Sequence, residues 1–118
     1  MNILDFLKNN ILYLDGGMGT LLQSEGLKAG ELPERWNVSH PEIITDIHRR
    51  YYKAGSNVVN TNTFGANSLK FSESELEDIV KTAIKNAVLV KVLQGTAENI
   101  TVNDLLTGEF DELFKSKE

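Results

Sequence analysis

ILYLDGGMGT, residues 11–20, runs four apolar side chains into an aspartate and then places three glycines among the next five residues. A short apolar run ended by glycines reads as a strand buried on both faces, followed by a tight turn. In parallel α/β sheets ligands meet the carboxyl ends of the strands. Asp15, Gly16 and Gly17 therefore fall where a small-molecule pocket would begin. A plainer reading is equally open: the glycines only turn the chain, and Asp15 caps the next helix. A phosphate cradle is excluded by spacing. The segment lacks the Gly-x-Gly-x-x-Gly pattern, and no Lys-Ser/Thr follows it.

Downstream the pattern repeats as helix, strand, helix. Ser39 and Glu42 have capping-box spacing, with Pro41 in the first turn. Ile43, Ile44, Ile47, Tyr51 and Ala54 follow at helical spacing, and Gly55 supplies the stop. NVVNTNTFG, residues 57–65, is the second expected strand. Its end offers Asn62, Thr63, Phe64 and Gly65 beside the first strand's end. Ser72 and Glu75 form another capping-box spacing. It precedes a stripe of Leu76, Ile79, Val80, Ala83, Ile84, Ala87 and Val88. Upstream, residues 2–10 read as a short helix with Ile3, Leu4, Phe6 and Leu7 on its apolar side. Residues 18–27 read as a helical turn or two, and 28–37 as a polar, irregular stretch. Strand–helix–strand–helix is the order of a parallel α/β sheet. Beyond residue 93 the text changes to a turn-rich tail, 94–118, with a short strand expected at NITV and a terminal helix at FDELFKSKE.

Composition narrows the function. A chain of 118 residues makes one modest domain, and 41% hydrophobic with 25% charged residues is ordinary for a globular protein. A net charge of −5 argues against nucleic acid or an anionic membrane as partner. No apolar run approaches a membrane span, and Asp5, Lys8 and the asparagines break any secretory signal, so a cytoplasmic address is expected. The chain has no cysteine, which removes disulfides, thiol nucleophiles and thiolate metal sites at once. His40 and His48 stand eight residues apart rather than the four that would stack them on one helix face, so no metal ligands and no catalytic residue are assigned. His48 is expected to be half-buried with a local partner, and Trp36 to be a packing anchor.

Taken together, DGGMGT (15–20), HPE (40–42), YYKAGS (51–56) and TNTFGAN (61–67) resemble the start of the homocysteine S-methyltransferase family over roughly residues 3–90. The likeness is nearest to the N-terminal module of cobalamin-dependent methionine synthases. It implies a (β/α)₈ barrel of which this chain holds the first two βα units, residues 1–93, with 94–118 unmatched. It further implies homocysteine as substrate, with Asp15, Gly16 and Gly17 lining its amino-acid end and Thr63 and Phe64 forming part of the same wall. In that family a zinc ion held by three cysteine thiolates activates the homocysteine thiol, and cobalamin or another molecule donates the methyl group. This chain has no cysteine. The resemblance therefore implies a substrate-binding fragment without a cofactor of its own and inactive by itself. The alternatives are one half of a split enzyme completed by a C-terminal half, or a non-catalytic small-molecule binding module. Self-association is expected, since two parallel strands leave both sheet edges open.

Overall fold

The computed structural model describes residues 3–93, which form five helices and one 3₁₀ turn. Helix α1 (Ile3–Asn9) buries none of its residues, and Ile3, Leu4 and Leu7 all face solvent. Helix α2 (Gly19–Ser24) inserts Leu22, which is completely buried. The stretch expected to be irregular is instead ordered. A 3₁₀ turn, Pro33–Arg35, runs directly into the single-turn helix α3 (Trp36–Ser39). Pro33 opens that turn, where its fixed φ favours helical entry and its missing N–H goes unmissed.

Helix α4 (Pro41–Ala54) begins at the proline and ends at Gly55, as the spacing predicts. Its N-cap is His40 rather than Ser39. Ser39 belongs to α3, so its hydroxyl turns back to Arg35 O at 3.2 Å and to His40 Nδ1 at 2.7 Å. Gly55 closes the helix with φ +116°, and Ser56 N–H donates to Tyr51 O at 3.0 Å. An alanine there must hold a left-handed backbone. Gly55→Ala should therefore lower stability by roughly 1–2 kcal/mol in urea titration.

Helix α5 (Glu73–Leu93) starts where Ser72 Oγ accepts Glu75 N–H at 3.3 Å. It buries Ile79, Ala83, Ala87 and Val90 along one face, with Asn86 beside them. Helices α3, α4 and α5 pack against one another. Leu22, Leu27, Trp36, Ile44 and Ile47 form one core cluster, with Met18, Leu21, Ile43 and Tyr51 packed against it. Full burial of Ile44 and of Ile47 is worth about 1.5–3 kcal/mol each.

The two expected strands are corrected. Among the described residues no segment is a β-strand, and Ile11, Tyr13 and Leu14 are exposed rather than buried on both faces. The segments nonetheless run side by side in the same direction. Tyr13 O accepts the backbone N–H of Asn57 at 2.7 Å and of Val58 at 3.4 Å, and Asp15 meets Asn60 two to three residues further along. Side chains have replaced the remaining ladder bonds. Asn57 Oδ1 takes Tyr13 N–H at 2.8 Å, and the Asp15 carboxylate takes Asn60 N–H at 3.0 Å. Each such substitution stops a ladder from propagating, and a two-stranded pair is marginal in water even when complete. The expectations for 94–118, NITV and FDELFKSKE included, lie outside the described residues.

Candidate functional site

The parallel run of the two segments brings their carboxyl ends together. Asp15 accepts two hydrogen bonds from Asn60, from its backbone N–H at 3.0 Å and from Nδ2 at 2.8 Å. A carboxylate offers about four acceptor positions, so two remain for a ligand. Asp15 is half-buried, and its negative charge is felt by two neighbours. Burial and that charge push the Tyr52 phenol above its ordinary range. Burial lowers the affinity of His48 for a proton, while Asp15 pulls the other way.

The glycine turn is held from helix α4. Tyr51 donates its hydroxyl proton to Gly17 O at 2.5 Å. A Cβ on Gly16 would lie 3.1 Å from the same hydroxyl and 3.4 Å from a ring carbon, so glycine permits the close approach of Tyr51. Gly17 has no comparable crowding: its own Cβ would meet only Thr20 Oγ1, at 3.5 Å.

At the second segment's end, Thr63 is half-buried and its hydroxyl bonds that of Thr61 at 2.8 Å. Phe64 points fully into solvent. Asp15 is thus joined directly to residue 60, whereas Thr63 and Phe64 stand further along the same segment and, among the described residues, make no hydrogen bond to the glycine turn.

Beneath that end lies a polar network. Asn37 is completely buried. Its Nδ2 donates to Asn62 O at 2.9 Å and to Ile79 O at 3.3 Å, and its Oδ1 accepts from Asn62 Nδ2 at 3.0 Å. Asn62 Nδ2 also reaches Pro33 O at 2.9 Å, and Asn86 Nδ2 donates to Asn37 O at 3.1 Å. Three asparagines therefore tie the 3₁₀ turn, α3 and α5 to residue 62, which carries Thr63 and Phe64 next to it. Asn62 stood out at the end of the second segment, but no sequence signal marks Asn37 or Asn86, because isolated asparagines in helical or loop text are most simply solvent-facing. The burial of Glu34, a residue only 4% exposed, was hidden in the same way.

Trp36 is an anchor, as expected: it is buried, donates Nε1–H to Glu31 at 3.3 Å and stacks on His40 at 4.3 Å. His48 departs from expectation. It is wholly buried on α4, and neither ring nitrogen has a hydrogen-bond partner among the described residues. The donor set does not suit zinc. The chain has no thiolate, and no group of three His, Asp or Glu side chains converges among the described residues.

Comparison with known proteins adds the family context. The model of the homocysteine S-methyltransferase family matches residues 12–106, and so runs past the boundary expected at residue 93. Methionine synthase of Mycobacterium leprae (strain TN) is 28% identical over 109 residues, 87% of this chain and 9% of that protein. Methionine synthase of Mycobacterium tuberculosis (strain ATCC 25618 / H37Rv) is 33% identical over 86 residues, 68% of this chain and 7% of that protein. The chain thus spans under a tenth of the length of these curated relatives. The crystal structure of the homocysteine methyltransferase MmuM from Escherichia coli, in its metallated form, superposes with a TM-score of 0.67. It is 23% identical, and the match covers 80% of this chain and 35% of that one. That likeness establishes a shared fold over the matched part.

Proposed function

The chain belongs to the homocysteine S-methyltransferase family, and on that premise we propose that it forms the homocysteine-recognition part of a methyltransferase barrel. The observation that carries this reading is the junction of Asp15 with Asn60, which sets the glycine turn beside the end of the second segment. Two parallel segments separated by a helix are the arrangement from which the first two βα units of a (β/α)₈ barrel would be built.

In this reading the ammonium of homocysteine rests on the two open acceptor positions of Asp15. Gly16 and Gly17 leave backbone room for its carboxylate, and Thr63 and Phe64 form a wall. Asn60 and Tyr51 hold these groups in place before ligand arrives. The family reaction forms a bond from the homocysteine sulfur to a methyl carbon and breaks the bond from that carbon to its donor, with the thiol proton lost. Zinc thiolates serve that step in the family, and none of the residues here can replace them. These residues bind and orient; by themselves they should not catalyse.

Calorimetric titration of the chain with L-homocysteine tests the reading. Binding should be measurable, and Asp15→Ala should weaken it by roughly 1.5–3 kcal/mol, the worth of a charge-assisted hydrogen bond. Absence of binding by the unsubstituted chain, or an affinity indifferent to Asp15→Ala, would end it. Zinc analysis of the same preparation should give far less than one equivalent per chain, because no thiolate set exists to retain it.

One further observation bears on partners. Ile11, Tyr13 and Leu14 are exposed on a segment whose backbone is only partly paired. In this reading a covering surface, from a complementing polypeptide or a second copy of the chain, meets that edge. Sedimentation should therefore show concentration-dependent association. A strictly monomeric chain at high concentration would argue for a self-sufficient binding module instead.

A further inference from the structure

A groove of about 540 Å³ lies between helices α4 and α5, and it shares no lining residue with the Asp15 site. Its apolar lining comes from Ile43 on α4 and from Leu89, Val90 and Leu93 on α5. Val90 is buried and Leu89 half-buried, but Leu93, at the end of α5, is 72% exposed. Two opposite charges border the groove on α4. Glu42 and Arg49 stand about two turns, or roughly 10 Å, apart along that helix. Arg49 shares the carboxylate of Asp46 with a second guanidinium, that of Arg50.

The sequence that leaves this groove carries a match for it. Residues 94–118 follow Leu93, which itself lines the groove. Within them Phe110, Leu113 and Phe114 recur at i, i+3 and i+4, the apolar stripe of a helix that needs a surface to rest on. Lys117 extends that stripe at i+7, and Glu109 stands just before it. Glu109 and Lys117 are thus spaced along a helix much as Arg49 and Glu42 are along α4, with the signs reversed. The intervening residues 94–108 span up to about 50 Å when extended, ample for a return to the groove. A segment tethered at the groove's own edge meets it at an effective concentration on the order of millimolar, which favours it over a second copy in dilute solution. The family model ends at residue 106, so this stripe lies beyond the family match.

We infer that residues 109–118 dock as a helix in the α4–α5 groove of their own chain, antiparallel to α4. Phe110, Leu113 and Phe114 rest on Ile43, Leu89 and Leu93, while Lys117 answers Glu42 and Glu109 answers Arg49. The docked segment covers the apolar side chains that α5 otherwise leaves wet.

Paramagnetic broadening in the full chain tests this. The sequence has no cysteine, so Lys115→Cys, on the face of the expected helix opposite the stripe, carries a single nitroxide. In dilute ¹⁵N-labelled chain the amides of Ile43, Leu89 and Leu93 should broaden, and should sharpen again when the nitroxide is reduced. Phe110→Ser with Phe114→Ser should abolish the broadening. Leu93 is exposed, so Leu93→Asp spares the packing and should weaken the broadening strongly. Lys117→Glu should weaken it too, and Glu42→Lys in the same chain should restore it. Sharp amides at all three positions, or broadening indifferent to the loss of both phenylalanines, would overturn the inference. So would equal broadening in a mixture of ¹⁵N chain without nitroxide and unlabelled chain with it, since a second copy would then be the occupant. None of these results touches Asp15, so the homocysteine reading stands or falls separately.

Discussion

Asn37→Ala is expected to lower the unfolding free energy of the chain by roughly 2–4 kcal/mol, since it removes three buried side-chain hydrogen bonds together. The bonds are not equivalent. Ile79 O lies within helix α5 and keeps its own helical partner, whereas Asn62 O and Asn62 Nδ2 face a core with little water. Losing the Asn37 amide therefore leaves Asn62 O without its donor, the costly outcome for a buried acceptor. Asn62 Nδ2 retains Pro33 O, which limits the damage. Urea unfolding gives the number. A double-mutant cycle with Asn62→Ala should show coupling of about 0.5–3 kcal/mol, because the two side chains bond each other. A loss below about 0.5 kcal/mol in the single variant would mean that water replaces the amide freely. The consequence reaches the site, because residue 62 is the footing from which Thr63, Phe64 and Gly65 project.

His48→Leu is expected to do the opposite and stabilise the chain at neutral pH. Both ring nitrogens of His48 are buried without partners, and a buried unsatisfied polar group costs about 1–3 kcal/mol. Leucine is close in volume and has nothing to satisfy, so a gain of roughly 1–3 kcal/mol should follow. The same burial sets the pH dependence. Desolvation lowers the folded-state pKa of His48 below its ordinary value near 6.5, with the charge of Asp15 opposing only in part. The unfolded chain then binds the proton more readily than the folded one. Stability from this group is present above about pH 6.5 and is lost as the pH falls toward the lowered folded value. Thermal melts between neutral and mildly acidic pH should show that loss in the native chain, and His48→Leu should flatten it. Equal slopes in the two proteins would assign the acid sensitivity to other groups.

Helices α4 and α5 were legible because their signals are local. Pro41 and Gly55 bracket α4, and Ser72 caps the start of α5; each acts within one turn of itself. The strands were misread because their fate depends on what lies opposite. ILYLD has strand composition, yet Asn57 and Asp15 spend their side chains on the backbone groups that a ladder would use. Ser39 was misplaced by one residue for a related reason. The short helix α3 ends at Ser39, which leaves His40 to begin α4. At the site, Asp15 and the glycines stood out by type and spacing. Asn60, Tyr51 and Asn37 did not, since each gains its role from a partner 25 or more residues away that no local pattern announces.

The contact of Tyr51 with Gly16 carries a consequence for how this sequence can drift. A side chain at position 16 and a phenol at position 51 compete for the same few ångströms, while either one alone fits. Neither position can therefore be judged conservative or radical by itself. Alanine at 16 is a misfit beside tyrosine and should become acceptable once position 51 is small, at the cost of the hydrogen bond to Gly17 O. The order of change then matters. A lineage that shrinks residue 51 first passes through a loosened turn, and one that enlarges residue 16 first passes through a crowded one. Glycine and tyrosine at these two places, 35 residues apart, are expected to persist or to be replaced as a pair.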